Sequence, residues 1–91
     1  MKEELTTLQV KILSTMIFVE TFDHILEEVK APEKIVRADM RMLIDRRYIQ
    51  VMERDGDNYR RTVFYDADDM RAYYYTATEK ALSLYGGKGR K

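Results

Sequence analysis

A single proline between two apolar stripes constrains the fold of this chain more than any other feature. Pro32 is the only proline in the 91 residues. Proline disfavours helix in the residue before it but suits the first turn of a new helix. The apolar residues before it follow i, i+3, i+4, i+7 spacing behind a threonine that can cap a helix: Phe22, Ile25, Leu26 and Val29 after Thr21. Those after it share one helical face: Val36, Met40 and Leu43. The pattern predicts helices over residues 22–29 and 32–46, which together form a helix-turn-helix.

The flanking segments complete an α+β order of three helices, three strands and a final helix. Thr6-Thr7-Leu8-Gln9 has the form of a capping box and predicts a first helix over residues 7–17. Aromatic and β-branched residues predict strands over 48–54, 59–65 and 70–75, with turns at 55–58 and 66–69. Alternatively, residues 56–69 form a long wing instead of a meander strand. A second capping box at 76–79 opens a helix that runs to about residue 85 and ends at Gly86.

Length and composition indicate one domain, over residues 1–85, followed by a flexible basic tail over 86–91. Hydrophobic residues make up 45% of the chain, which is enough for a modest core. Cysteine is absent, so disulfides and thiolate metal sites are excluded. No apolar run approaches the roughly 20 residues that span a bilayer. We therefore expect a soluble, cytoplasmic protein that does not enter a membrane.

The residue inventory argues against an enzyme. Catalysis needs a nucleophile, an acid–base pair or a metal held in one place. His24 is the only histidine, and the four glycines have no phosphate-binding spacing. The carboxylates in the run 66–69 lack the glycine and distal glutamate of a calcium-binding loop. We expect no catalytic residues, no metal site and no cofactor.

The third predicted helix carries a basic stripe opposite its apolar face. At 100° per residue the outward positions are Lys34, Arg37, Ala38, Arg41 and Asp45. In a helix-turn-helix this face enters the major groove, where the planar fork of arginine can bind guanine. Alternatively, the stripe is an ordinary solvated face whose basic residues pair with Glu33 and Asp45.

The predicted hairpin carries three more arginines near its first turn: Arg54, Arg60 and Arg61. In a meander, Asp66, Asp68 and Asp69 would crowd the opposite end and leave a basic tip for phosphates. Alternatively, these arginines only keep the strands soluble. The balance of 16 basic and 16 acidic side chains counts mildly against nucleic-acid binding.

The segment TFDHILEEVKAPEKIVRADMRMLIDRRYI, residues 21–49, resembles winged helix-turn-helix transcriptional regulators of the MarR and PadR type. Residues 74–82, YYTATEKAL, resemble the end of that domain, where a strand runs into a Thr-capped helix. Arg47 and Glu79 depart from the pattern, because the family usually has glycine at both places. The resemblance implies a winged helix that binds double-stranded DNA as a homodimer, with contacts through the first helix and the final helix, including Leu82, Leu84 and Tyr85. The alternative is a winged-helix module that binds a protein partner and no DNA.

Overall fold

The computed structural model describes residues 5–83. Its helices are α1 (Thr7–Ser14), α2 (Phe22–Val29), α3 (Glu33–Asp45) and α4 (Glu79–Ala81), with a one-turn 3₁₀ helix at Met70–Ala72. Its strands are β1 (Glu20–Thr21), β2 (Ile49–Asp55), β3 (Asn58–Arg61) and β4 (Tyr74–Ala77). The strands form one antiparallel sheet in the order β1-β4-β2-β3. The predicted α+β class is confirmed. The tail predicted over 86–91 and the end of the predicted final helix lie outside the described residues.

The three predicted N-terminal helices are present, and local capping explains their limits. At the start of α1, the Thr6 hydroxyl accepts from the Gln9 amide at 3.1 Å, and the Gln9 side chain accepts from the Thr6 amide at 2.9 Å. This helix ends three residues before the predicted limit. The Ser14 and Thr15 hydroxyls donate to the carbonyls one turn back, which competes with continued helix formation.

The connection between α2 and α3 is tight, as Pro32 predicts. Helix α2 has the predicted limits and is capped by the Thr21 hydroxyl, which accepts from the His24 amide at 3.1 Å. It ends at Lys30 in the left-handed conformation, with φ 52°. Pro32 then stands immediately before α3, and its carbonyl accepts from the Val36 amide. Two residues therefore suffice to turn the chain between the C-cap of α2 and the start of α3.

The predicted β-meander is wrong in its third strand. Residues 70–72 form the 3₁₀ helix, and β4 pairs with β2 and β1, not with β3. The side chain that holds this arrangement is Tyr75, which is fully buried and donates from its hydroxyl to the Met70 carbonyl at 2.7 Å. Burial raises the pKa of that hydroxyl. The alternative prediction, a long wing over residues 56–69, is closer to the structure, because β3 is an edge strand and residues 62–69 form a loop.

The hairpin itself forms at the predicted turn. Strands β2 and β3 are joined through Gly56 and Asp57, and Gly56 has φ +66°, a conformation that a two-residue hairpin turn requires. Strand β3 ends at Arg61, four residues before the predicted limit. The Thr62 hydroxyl accepts from the Phe64 amide and donates to the Phe64 carbonyl, which turns the chain away from the sheet.

The capping box predicted at 76–79 is wrong, because the final helix is capped two residues later than predicted. Thr76 lies in β4, where its hydroxyl donates to the Met16 carbonyl at 3.3 Å. Thr78 is the N-cap of α4: its hydroxyl accepts from the Ala81 amide and donates to the Arg47 carbonyl at 2.7 Å. The pairing of β4 with β2 extends to Ala77, so the helix begins only after it.

One core unites the helices with the inner face of the sheet. That face contributes Ile49, Val51 and Tyr75, and α3 contributes the predicted stripe of Val36, Met40 and Leu43. Helix α1, its following loop and α2 supply further side chains that are fully buried: Ile12, Leu13, Met16, Phe22 and Ile25. Because the core occupies one face of α3, the opposite face of this helix is left to solvent.

Candidate nucleic-acid interface

The outward face of α3 presents three of the predicted site residues to solvent. Lys34, Ala38 and Arg41 are exposed and lie opposite the buried stripe. Within residues 5–83, neither Lys34 nor Arg41 forms an ion pair or a side-chain hydrogen bond. Arg41 lies near Tyr65, whose pKa is raised by burial and by the Asp45 carboxylate, while the Arg41 guanidinium acts in the opposite direction. The face therefore combines two available cations, a small residue between them and, at the end of the helix, the exposed Asp45 carboxylate.

Arg37 lies at the side of α3 and is engaged within the protein. Its guanidinium contacts the Glu33 carboxylate at 2.8 Å, and its side chain is 35% exposed. The Nε atom is buried and has no hydrogen-bond partner among the described residues. This is the pairing with Glu33 that the alternative interpretation of the stripe anticipates. Arg37 is thus less available to a ligand than Lys34 or Arg41.

A cluster that sequence reasoning missed is centred on Arg71. Its guanidinium contacts the Asp23 carboxylate at 2.7 Å and donates two hydrogen bonds of 3.0 Å to Glu33. It also lies over the Phe22 ring, 5.2 Å from the ring centre. The hydrogen bonds from Arg71 are the largest effect on the pKa of Glu33, which is lowered. No local pattern signals this cluster, because Arg71 is 38 residues from Glu33 and 48 from Asp23.

The hairpin arginines divide between the two faces of the sheet. Facing residues of an antiparallel pair share a side, and successive residues alternate. Arg60 faces Glu53 on the side where the helices pack, and the two form an ion pair at 3.0 Å.

Arg54 and Arg61 lie on the opposite face. The Arg54 guanidinium is 5.8 Å from the centre of the Tyr59 ring, and its Nε donates to the Gly56 carbonyl at 3.0 Å. Tyr59 in turn meets Tyr74 edge-on, with 5.1 Å between the ring centres. The seven predicted site residues therefore lie in three places: four on α3, Arg60 on the helix side of the sheet, and Arg54 and Arg61 on its far side.

His24, the only histidine of the sequence, is paired with neighbouring carboxylates. The His24 imidazole lies between two carboxylates, 2.5 Å from Glu20 and 3.6 Å from Glu28. Among residues 5–83, no group of three or more histidine, cysteine or acidic side chains is placed to hold a metal ion. No helix in this range has both the length and the apolar character needed to cross a membrane.

Comparison with protein-family models, with curated proteins and with solved structures finds no match to this chain.

Proposed function

We propose that this chain is a winged-helix transcriptional regulator of the cytoplasm that binds double-stranded DNA. In this proposal α3 enters the major groove and the β2–β3 hairpin is the wing. The observation that carries the proposal is the outward face of α3, where Lys34 and Arg41 are exposed and unpaired among the described residues on either side of Ala38. A helix of 13 residues is about 20 Å long, which is enough to follow the groove over several base pairs.

The chemistry of this face suits base recognition. Arg41 can offer two parallel N–H donors to guanine O6 and N7, while Ala38 allows the helix backbone to approach closely. Lys34 is placed for a phosphate. Carboxylates near the start of α3 would repel the DNA backbone, but Glu33 and Asp23 are both paired with Arg71. The Arg71 cluster therefore removes an electrostatic obstacle at the end of the helix that would enter the groove.

A selection experiment tests whether α3 contacts base edges. Duplexes enriched from a random pool are titrated against the wild type and Arg41→Ala, together with scrambled versions of the same duplex. We expect Arg41→Ala to weaken specific binding by about 1–3 kcal/mol and to relax preference at particular base pairs. The matched control is Arg46→Ala, because Arg46 is exposed at the end of α3 but turned away from the outward stripe. Failure to enrich any duplex, or equal binding by Arg41→Ala and wild type, would contradict the proposal.

The division of the hairpin arginines gives a second test. Arg60 faces the side on which α3 packs, whereas Arg61 faces away. We expect Arg60→Ala to weaken binding to all sequences alike and to reduce the salt dependence by about one unit for each phosphate that is no longer neutralised. Arg61→Ala is the matched control and should leave both the affinity for DNA and its salt dependence unchanged. Equal effects of the two substitutions would show that the wing meets DNA through its tip and not through one face.

A homodimer is part of the proposal, because one winged helix reads about one half-site and a dimer matches a palindromic site. The contact residues predicted at Leu84 and Tyr85 lie outside the described residues. Leu82, which is described, is only partly buried.

A protein-docking winged helix is the second candidate function, and one observation favours it. Val63 and Phe64 are 84% and 82% exposed, and exposed neighbouring apolar side chains are typical of protein interfaces. Retention on random duplex DNA over a salt series separates the two functions. A DNA-binding protein is retained at low salt and released as the salt concentration rises, because its basic residues displace counterions from the phosphates. A docking module is not retained on DNA even at low salt.

A further inference from the structure

The loop after β3 presents two adjacent apolar side chains in a fixed conformation. Val63 and Phe64 are the most exposed large hydrophobic residues in the described part of the chain. Two hydrogen bonds hold this turn: the Thr62 hydroxyl donates to the Phe64 carbonyl at 2.9 Å and accepts from the Phe64 amide at 3.2 Å. Farther along, the Tyr73 hydroxyl accepts from the Asp66 amide at 3.1 Å. The loop backbone is therefore tied at both ends, so less backbone entropy is lost when the exposed side chains bind a partner.

An open groove of about 380 Å³ lies directly beside this loop. Its apolar lining comes from the end of α3, from β2 and from the loop itself: Ile44, Ile49, Val51, Val63 and Tyr65. An apolar cavity of roughly 150 Å³ holds a benzene ring, so this groove has room for a phenylalanine side chain. Phe64 does not line the groove of its own chain. One patch of surface thus contains both a projecting aromatic ring and an apolar recess that can receive one.

We infer that this patch is a homodimer interface, in which Phe64 of each chain occupies the groove of a second copy. A two-fold interface uses the same patch on both subunits, so it requires a surface that is complementary to itself. A projection next to a matching recess meets that requirement. This surface replaces the contacts through the first and final helices that the resemblance implies for the homodimer of the proposed function, and it requires no DNA binding by α3.

Charges at the rim of the groove fit the same arrangement. Arg47 and Glu79 both border it, are exposed, and form no ion pair with each other or with another described residue. Around a two-fold axis, Arg47 of one copy can face Glu79 of the other, which gives two equivalent ion pairs for each dimer. The formal net charge of zero also means that two copies do not repel each other at long range.

Sedimentation equilibrium of the full chain without DNA, over about 1–500 µM, tests the inference. We expect a monomer–dimer equilibrium that saturates at two copies, and we expect Phe64→Asp to weaken it at least tenfold. The matched control is Phe18→Asp: Phe18 is 77% exposed but lies in the loop between α1 and β1, so its substitution should leave dimerisation unchanged. Circular dichroism and thermal melting confirm that each variant is folded.

A charge exchange provides a readout that a general loss of structure would not produce. Arg47→Glu and Glu79→Arg should each weaken the dimer, because each places like charges across the interface. The double variant should restore it, because both ion pairs are re-formed with reversed polarity. A wild-type chain that stays monomeric, growth beyond two copies, equal effects of Phe64→Asp and Phe18→Asp, or no rescue in the double variant would overturn the inference. DNA selection with the same variants is scored separately, so failure of the dimer and failure of DNA binding are distinguishable.

Discussion

Arg47 offers a direct test of the backbone conformation that connects α3 to the sheet. It is one of two non-glycine residues among those described with positive φ, at 66°, and the other is Lys30 at 52°. The left-handed conformation costs a non-glycine residue roughly 1–2 kcal/mol, whereas glycine adopts it without that cost. Glycine loses about 0.5–1 kcal/mol more conformational entropy on folding. Arg47→Gly should therefore raise the free energy of unfolding by about 0.5–1 kcal/mol.

The local environment of Arg47 supports this magnitude. Its side chain is exposed and forms no ion pair within residues 5–83, so its removal costs the monomer little free energy. Its carbonyl, which accepts from the Thr78 hydroxyl at 2.7 Å, is retained in the glycine variant. Urea denaturation followed by circular dichroism at neutral pH measures the change, at a protein concentration where sedimentation shows a monomer, so that the inferred dimer contact of Arg47 does not contribute. The matched control is Arg46→Gly, one residue earlier, where φ is −93° and glycine brings only its entropic cost. The reasoning is refuted if Arg47→Gly destabilises the protein as much as Arg46→Gly does.

Two further predictions concern the end of the sheet and the Arg71 cluster. Thr78→Ala should lower the free energy of unfolding by about 2 kcal/mol, because it removes the cap of α4 and the bond to the Arg47 carbonyl. Thr76→Ala should lower the free energy of unfolding by less than about 1 kcal/mol, because the single hydrogen bond of its side chain is long. Thr78→Ser should behave as wild type, because serine keeps the hydroxyl. A greater loss of stability for Thr76→Ala than for Thr78→Ala would contradict the observed cap. In the folded state the pKa of Glu33 lies below its ordinary value of 4.5, because Arg71 hydrogen-bonds to the carboxylate. The ion pair therefore contributes its full stabilisation above pH 4.5, and this contribution is lost as the pH falls through the lowered pKa. Urea stability titrated downward from neutral pH should fall more steeply for the wild type than for Glu33→Gln, and parallel curves would rule out this role for Glu33.

Local patterns in the sequence determined the helical half of the fold. The limits of α2 follow from its apolar spacing and from Thr21, and the start of α3 follows from Pro32, because capping and proline chemistry act within one helical turn. The outward position of Lys34, Ala38 and Arg41 follows from the same period once the apolar face is buried. The β2–β3 turn was equally predictable, since Gly56 adopts the positive φ that a two-residue turn needs.

Tertiary structure alone decided how the sheet is ordered and how the candidate site is divided. Strand β4 lies beside β2 because Tyr75 is buried in the core, and burial depends on packing with residues far away in sequence. Strand alternation alone puts Arg60 and Arg61 on opposite faces, but which face each one takes follows from register, which a shift of one residue would reverse. The pairing of Arg71 with Glu33 and the exposure of Phe64 beside an apolar groove likewise arise only when distant segments meet. Helix caps and periodicity are short-range properties and can be read along the chain, whereas these contacts depend on three-dimensional complementarity that no local pattern contains.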